Sequence, residues 1–249
     1  MSQAPAQVGW SKIREDMLRP PEEPVVFSFV TGVGSQVALT LFIGLFLACL
    51  FYTSQAIRPW LLTIGLGLFA CCGFVNGFMT SRSLKFFRIS DWQQSALISA
   101  VAFPLFLCIT LSLAEIIESM AGASMAHPIS EGVLFYLLWW GLDGPAAAYG
   151  AYKGFIAPLG VEPPHTIGLA STNATKAELP FHLKWYGITL IFGLPVFSTI
   201  FYEFGYVMES VWRSYMIYGM FVVLFLSMLM MAVTIAALSI VVTYQTLSH

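Results

Sequence analysis

Charge is scarce in this sequence, because only 10% of its 249 residues are Asp, Glu, Lys or Arg, whereas 58% are hydrophobic. A soluble domain carries about 25% charged residues, since it needs a polar surface against water. The mean hydropathy of +0.79 therefore indicates that lipid is the main solvent of the chain. The net charge of −2 excludes a broad basic surface, so we expect no nucleic-acid partner.

Cysteine and histidine are also few, and their positions exclude several kinds of site. The four cysteines all lie in apolar runs without CxxC spacing, which favours free thiols over disulfides or metal ligands. None of the four histidines lies near the middle of an apolar run, so the runs hold no histidine ligands for haem or copper. The sequence contains no HExxH, P-loop or GxSxG motif. We therefore expect no enzyme, no catalytic residue, no metal and no cofactor.

The apolar residues form continuous runs of the length that crosses a bilayer, which takes about 20 residues. Continuous runs exclude the short alternating segments of a β-barrel. The predicted fold is all-α: a polytopic membrane helix bundle of about six transmembrane helices. The bundle is expected at 25–246, after an N-terminal segment 1–24 and before a tail 247–249. The predicted spans are 26–52, 59–79, 95–117, 129–156, 185–208 and 216–244.

The distribution of Lys and Arg predicts the orientation of the bundle. Nine of the eleven basic residues precede the first span, lie between the second and third, or lie at and after the end of the fourth, whereas only Arg58 and Arg213 lie on the other side. Because positive residues concentrate on the cytosolic side, both termini are predicted to face the cytosol or a matrix-like compartment. The sequon at Asn173 would then stay unglycosylated. The first 19 residues contain no apolar stretch of the kind found in a cleavable signal peptide.

Two pairs of glycines predict contacts between helices. Gly73 and Gly77 lie in the second predicted span, and Gly150 and Gly154 lie in the fourth, each pair at a spacing of four residues. Small residues at this spacing let two membrane helices approach closely. We expect all four glycines at helix contacts rather than facing lipid.

Two carboxylates lie well inside predicted spans, away from the span ends, where an ionised group is costly. Asp143 lies in the fourth span and Glu203 in the fifth, and no Lys or Arg lies at the same depth. One interpretation is functional: a proton relay, an ion site, or a docking point for a polar group of a partner helix. The other is structural: a protonated or hydrogen-bonded carboxyl that faces the bundle. For Asp143 the structural interpretation is preferred, and both residues are predicted contacts for polar groups or partners.

A series of short strings also occurs in order along most of the chain. They are Gly9-Trp10, Arg19-Pro20-Pro21, Gly32-x-Gly34-Ser35-Gln36, Pro145, Gly150-Ala151-Tyr152-x-Gly154-Phe155, Thr172-Asn173, Leu179-Pro180, Trp185-Tyr186, Gly193-Leu194-Pro195, Glu203, Trp212, Ser239 and Thr243-Tyr244. Together they resemble the membrane core of the nonaspanins, the nine-transmembrane superfamily. The sequence departs from that family by lacking its lumenal domain and last two spans. It also has Asp143 where the family usually has a small neutral residue, and Ala237 where the family typically has a carboxylate.

The resemblance implies a non-enzymatic membrane protein that sorts or escorts other membrane proteins in Golgi and endosomal membranes by helix–helix contact. Its expected partners are other transmembrane proteins and lipids, within a larger assembly. The first alternative is a structural or accessory subunit of one large membrane complex, in an organelle's inner membrane for example. The second alternative is a small solute transporter or a proton-coupled transporter.

Overall fold

The structure is a computed structural model that describes residues 21, 23–51, 60–89, 91–120, 133, 136–159, 185–212 and 220–248. Within these ranges the regular structure is entirely helical, which confirms the predicted all-α class. The helices are α1 (Pro24–Phe51), α2 (Leu61–Phe86), α3 (Trp92–Met120), a π-helical turn (Trp139–Asp143), α4 (Gly144–Ile156), α5 (Trp185–Trp212) and α6 (Met220–Ser248).

Five of the described helices contain a stretch that is long and apolar enough to cross a membrane. These stretches are Pro24–Phe51, Thr63–Phe86, Trp92–Thr110, Gly187–Glu209 and Met220–Gln245. The segment predicted as the fourth span, 129–156, differs from the others. Its residues 129–132 and 134–135 lie outside the described residues. From residue 136 the segment is helical, and it is divided into the π-turn and the short helix α4.

The π-turn follows from the proline next to it. Pro145 has no backbone N–H, so it cannot donate to the carbonyl four residues earlier, and its ring crowds that carbonyl. The chain accommodates the ring by widening for one turn, in which the N–H of Gly144 donates to the carbonyl of Trp139, five residues earlier. Such wide single turns occur frequently at functional sites.

The described chain divides into two compact units. The first unit contains α2, α3, the π-turn, α4 and the part of α1 up to Gly44. Its most extensive helix contact joins α2 and α4. Phe69, Cys108 and Trp139 form its buried apolar core, with Val37, Leu66, Phe103 and Leu107 packed against them.

The second unit contains the end of α1, from Leu45, together with α5 and α6. Helices α5 and α6 pack against each other, and the ring of Phe46 lies 6.0 Å from that of Phe225. The two helices are much less covered by protein than α2: only 6% of the apolar stretch of α5 and none of that of α6 is buried, against 33% for α2.

Candidate functional site

Five polar side chains meet in the interior of the first unit, and all of them are almost completely buried. Gln36 comes from α1, Asn76 and Thr80 from α2, Ser99 from α3 and Asp143 from the π-turn, and none is more than 1% exposed. We call these five residues the polar cluster. Burying a polar group is costly unless it is hydrogen-bonded, so the cluster can exist only if its members satisfy one another.

The hydrogen bonds of the cluster run in one direction, toward Asp143. The Ser99 hydroxyl donates to Asn76 Oδ1 over 2.7 Å, and Asn76 Nδ2 donates to Gln36 Oε1 over 3.0 Å. Gln36 Nε2 then donates to Asp143 Oδ1 over 2.9 Å. The Thr80 hydroxyl lies 3.2 Å from Asn76 Oδ1 and 3.1 Å from Ser99 Oγ. Asp143 is thus the acceptor at the end of this series of hydrogen bonds.

Two backbone carbonyls fix this direction. Gln36 Nε2 also donates to the carbonyl of Phe69 over 3.0 Å, and Asn76 Nδ2 also donates to the carbonyl of Ser99 over 3.3 Å. Rotating either amide by half a turn would place its oxygen against a carbonyl oxygen, which cannot donate. The amide of Gln36 must therefore offer its N–H to Asp143, and Asp143 Oδ1 must accept.

The second carboxylate oxygen of Asp143 differs from the first in its hydrogen bonding. Oδ2 is buried and has no hydrogen-bond partner among the described residues. An apolar cavity of about 540 Å³ lies nearby between α3 and α4, lined by residues that include Ala96, Ala100, Trp139 and Trp140, but Asp143 is not among its lining residues. Among the described residues the carboxyl is enclosed by protein, with Oδ1 hydrogen-bonded to Gln36 and Oδ2 without a partner.

The two glycine pairs lie on either side of the α2–α4 contact, next to the polar cluster. A Cβ atom on Gly77 would lie 2.8 Å from both the carbonyl carbon of Ala147 and the nitrogen of Ala151, and one on Gly150 would lie 2.9 Å from the carbonyl carbon of Phe74. One on Gly154 would lie 3.0 Å from Phe78 Cα. These separations are as close as, or closer than, the tightest contacts that real Cβ atoms make. Gly77, Gly150 and Gly154 therefore lie where the backbones of α2 and α4 touch.

Gly73 belongs to the same contact but faces the carboxyl itself. A Cβ atom there would lie 2.9 Å from the Asp143 carbonyl oxygen and 3.0 Å from Asp143 Cγ, and it would also collide with Oδ1. The missing side chain of Gly73 therefore makes the space that the Asp143 carboxyl occupies. The structure brings Asp143 and the four glycines together in one unit.

Glu203 lies elsewhere, on α5 in the second unit. Its side chain is half-buried, and its Oε2 is buried without a hydrogen-bond partner in the described part of the chain. The described residues contain no group of three or more His, Cys, Asp or Glu side chains that could hold a metal ion. All four histidines lie outside the described residues.

Sequence reasoning identified Asp143 but missed four of the five members of the cluster. The two carboxylates stand out as intramembrane polar groups because of their charge, but Gln36 and Asn76 also interrupt apolar runs. The usable signal was the presence of one amide in each of the first two spans, because a side-chain amide in lipid needs a partner on another helix. Thr80 and Ser99 gave no comparable signal, since a hydroxyl can bond to its own helix.

The fold and this site define a class: an integral membrane protein with several transmembrane helices, one unit of which encloses a buried polar cluster. The sequence comparisons agree and are more specific. The chain belongs to the Endomembrane protein 70 family, whose model matches residues 2–249, and the resemblance to the nine-transmembrane superfamily is thereby confirmed.

Similar curated proteins carry the superfamily name. Transmembrane 9 superfamily member 10 of Arabidopsis thaliana is 28% identical over 244 residues, which cover 96% of this chain and 37% of that protein. Transmembrane 9 superfamily member 2 of Homo sapiens is 28% identical, with 97% of this chain and 36% of that protein covered. A Dictyostelium discoideum protein named "Putative phagocytic receptor 1a" is 25% identical, with 96% of this chain and 36% of that protein covered. This chain thus spans little more than a third of the length of these relatives, and no solved structure matches it.

Proposed function

We propose that this chain sorts or escorts other membrane proteins, and that it recognises their transmembrane helices by direct contact within the bilayer. Membership of the family supports a role among membrane proteins, and the relatives' names are not names of enzymes. The Dictyostelium relative is named as a receptor, which fits a protein that binds others. Golgi and endosomal membranes are the proposed location, because the family resemblance implies them.

The observation that carries the proposed mode of recognition is a stripe of small residues on α6. Ala232, Ala236 and Ser239 are all exposed and, at spacings of four and three residues, lie on one face of the helix. The hydroxyl of Ser239 donates to the carbonyl of Ala236 within the same helix. Small residues at this spacing let a second membrane helix approach closely, as the glycines of α2 and α4 do inside the first unit.

The test compares this stripe with the opposite side of the same helix. Ala232→Leu with Ala236→Leu adds bulk to the stripe, whereas Val241→Leu adds bulk about 180° around the helix from Ala232. Each tagged chain is purified from its own cells in mild detergent, and the co-purifying membrane proteins are identified. We then remove the native chain and follow whether those proteins change compartment.

Three results would support the proposal when they occur together. Several different membrane proteins co-purify with the chain at low stoichiometry, and they move to the wrong compartment when the chain is removed. Expressing the Val241→Leu variant returns them to their normal compartment, whereas expressing the double Leu variant does not. Normal placement of the co-purifying proteins without the chain would contradict it.

A second candidate is a fixed subunit of one membrane complex, and Glu203 is the observation that favours it. Oε2 of Glu203 is a buried carboxylate oxygen with no partner among the described residues, on a sparsely covered helix. It would gain from a donor on a permanent neighbouring helix, because an unsatisfied polar group in lipid is costly. Native separation in mild detergent distinguishes the two. A fixed subunit migrates with one large complex at constant stoichiometry, and this migration should be lost in Glu203→Gln if Glu203 holds the contact.

A further inference from the structure

We propose that Asp143 is a proton-binding site, at which Oδ2 holds a proton as long as the polar cluster is folded around it. The ligand is the proton itself, and the site consists of the Asp143 carboxyl together with the amide of Gln36 and the space left by Gly73. This inference concerns the interior of the first unit and does not depend on the proposed sorting function.

The first step is the state of the two oxygens. The fixed amide of Gln36 requires Oδ1 to be an acceptor, so a proton on the carboxyl must lie on Oδ2. That oxygen has no partner within the described chain, and Asp143 is only 1% exposed. An ionised carboxylate with one hydrogen bond and no counter-ion is very costly in such a place, and such a group neutralises instead.

The second step concerns the charges on the elements packed against Asp143. Arg82 on α2 is nine residues beyond Gly73 and Lys153 on α4 is ten residues beyond Asp143, which is about 13–15 Å along a helix. Both cations are engaged with rings, Arg82 with Phe78 and Lys153 with Tyr149. Lys85 lies further along α2 and donates to the carbonyl of Ala157. These cations are held too far away to neutralise the carboxylate.

The other ionisable groups on these elements do not supply a counter-ion either. Glu23 before α1 and Asp91 before α3 are acids, about 20 Å and 12 Å along their helices from Gln36 and Ser99. The remaining groups on these elements are two further acids toward the far end of α3, Glu115 and Glu118, and thiols and phenols that carry no positive charge: Cys71, Cys72, Cys108, Tyr149 and Tyr152. Because the described residues place no cation close to Asp143, a proton is the ligand that neutralises it.

The consequence is a link between proton binding and closure of the bundle. In the closed state the carboxyl keeps its proton, whereas in the unfolded chain an aspartate loses it above about pH 4. At this carboxyl the folded state thus binds more protons than the unfolded chain, so the contribution of Asp143 to stability falls as pH rises from acid to neutral. Asp143→Asn keeps an acceptor for Gln36 and carries an N–H where the proton was, so it should remove this dependence.

The experiment measures two quantities on the full chain in detergent. Infrared spectroscopy detects the carbonyl stretch of a protonated carboxylic acid, which should be present at neutral pH and absent in Asp143→Asn. Thermal unfolding at a series of pH values should show Asp143→Asn gaining on the unchanged protein as pH rises. Glu203→Gln is the matched control, because it removes the other intramembrane carboxyl and should leave both the Asp143 band and its pH dependence in place.

A second variant keeps the proposal testable if Asp143→Asn does not fold. Gln36→Leu removes the donor that favours the charged form, so the protonated band should persist to higher pH than in the unchanged protein, or persist throughout if it never disappears there. The proposal is overturned if neutral pH shows no protonated band that belongs to Asp143. It is equally overturned if the stability gap to Asp143→Asn does not change with pH, or if Glu203→Gln abolishes the dependence.

Discussion

Gly77→Ala is expected to loosen the α2–α4 contact more than any other one-carbon change of comparable size on α2. The added Cβ would lie 2.8 Å from the Ala147 carbonyl carbon and from the Ala151 nitrogen, and closer still to the Ala147 carbonyl oxygen. All three are backbone atoms, which cannot rotate away as a side chain does. One helix must therefore shift against the other.

The expected cost follows from overpacking a tight contact, which is about 1–3 kcal/mol. We expect the upper end, about 3 kcal/mol, because the obstacle is backbone. For a soluble domain of this size each kcal/mol lowers the melting temperature by about 2–4 °C, so the shift would be about 6–12 °C. Thermal unfolding in mild detergent, followed by circular dichroism or by precipitation, measures it.

Gly67→Ala is the matched control on the same helix. Nothing lies within 4 Å of a Cβ at Gly67, and Ala is about 0.5–1 kcal/mol more favourable than Gly inside a helix. The control should therefore be as stable as the unchanged protein or more so. If Gly77→Ala unfolds at the same temperature as Gly67→Ala, the close contact between α2 and α4 does not exist.

Two further predictions concern the polar cluster and the topology. Gln36→Leu leaves Asp143 Oδ1 and the Phe69 carbonyl without their donor, so it should destabilise by about 1–3 kcal/mol in thermal unfolding, whereas Ser35→Ala, which loses only a bond to its own helix, should change little. The charge distribution predicts that Asn173 lies on the cytosolic side, so mass spectrometry should find it unmodified when the chain is made in a secretory membrane. A glycan there would refute the predicted orientation.

The sequence predicted the class of the fold well, because composition and run length decide it. It predicted the end of α2 less well. The run of apolar residues ends at Met79, whereas the helix continues to Phe86 with Thr80 and Ser81 buried. In the sequence those polar residues indicate that the chain leaves the membrane, but in the structure Thr80 is part of the polar cluster. A polar residue inside a bundle and one outside the membrane look alike in a single sequence.

The partners within the cluster were beyond sequence reasoning for a physical reason. Gln36 and Asp143 are 107 residues apart in the chain. Each lies on a separate helix, and the hydrophobic pattern of a helix indicates only which of its faces is polar. Which helices meet depends on packing across the whole unit. The sequence singles out Asp143 as an intramembrane carboxylate, but it does not show which amide contacts it.

The spacing of residues along the sequence did indicate that the glycines and the Asp143 carboxyl lie on the same helix faces. Asp143 precedes Ala147, Gly150 and Gly154 by four, seven and eleven residues, which places all four on one helical face. On α2, Gly73, Gly77 and Thr80 follow the same spacing. The face that brings the two backbones together is therefore the face that encloses Asp143. The same surface therefore forms the helix contact and buries the carboxyl. A change that separates α2 from α4 must also expose the carboxyl of Asp143, and a change in the charge of Asp143 must alter the contact between the two helices.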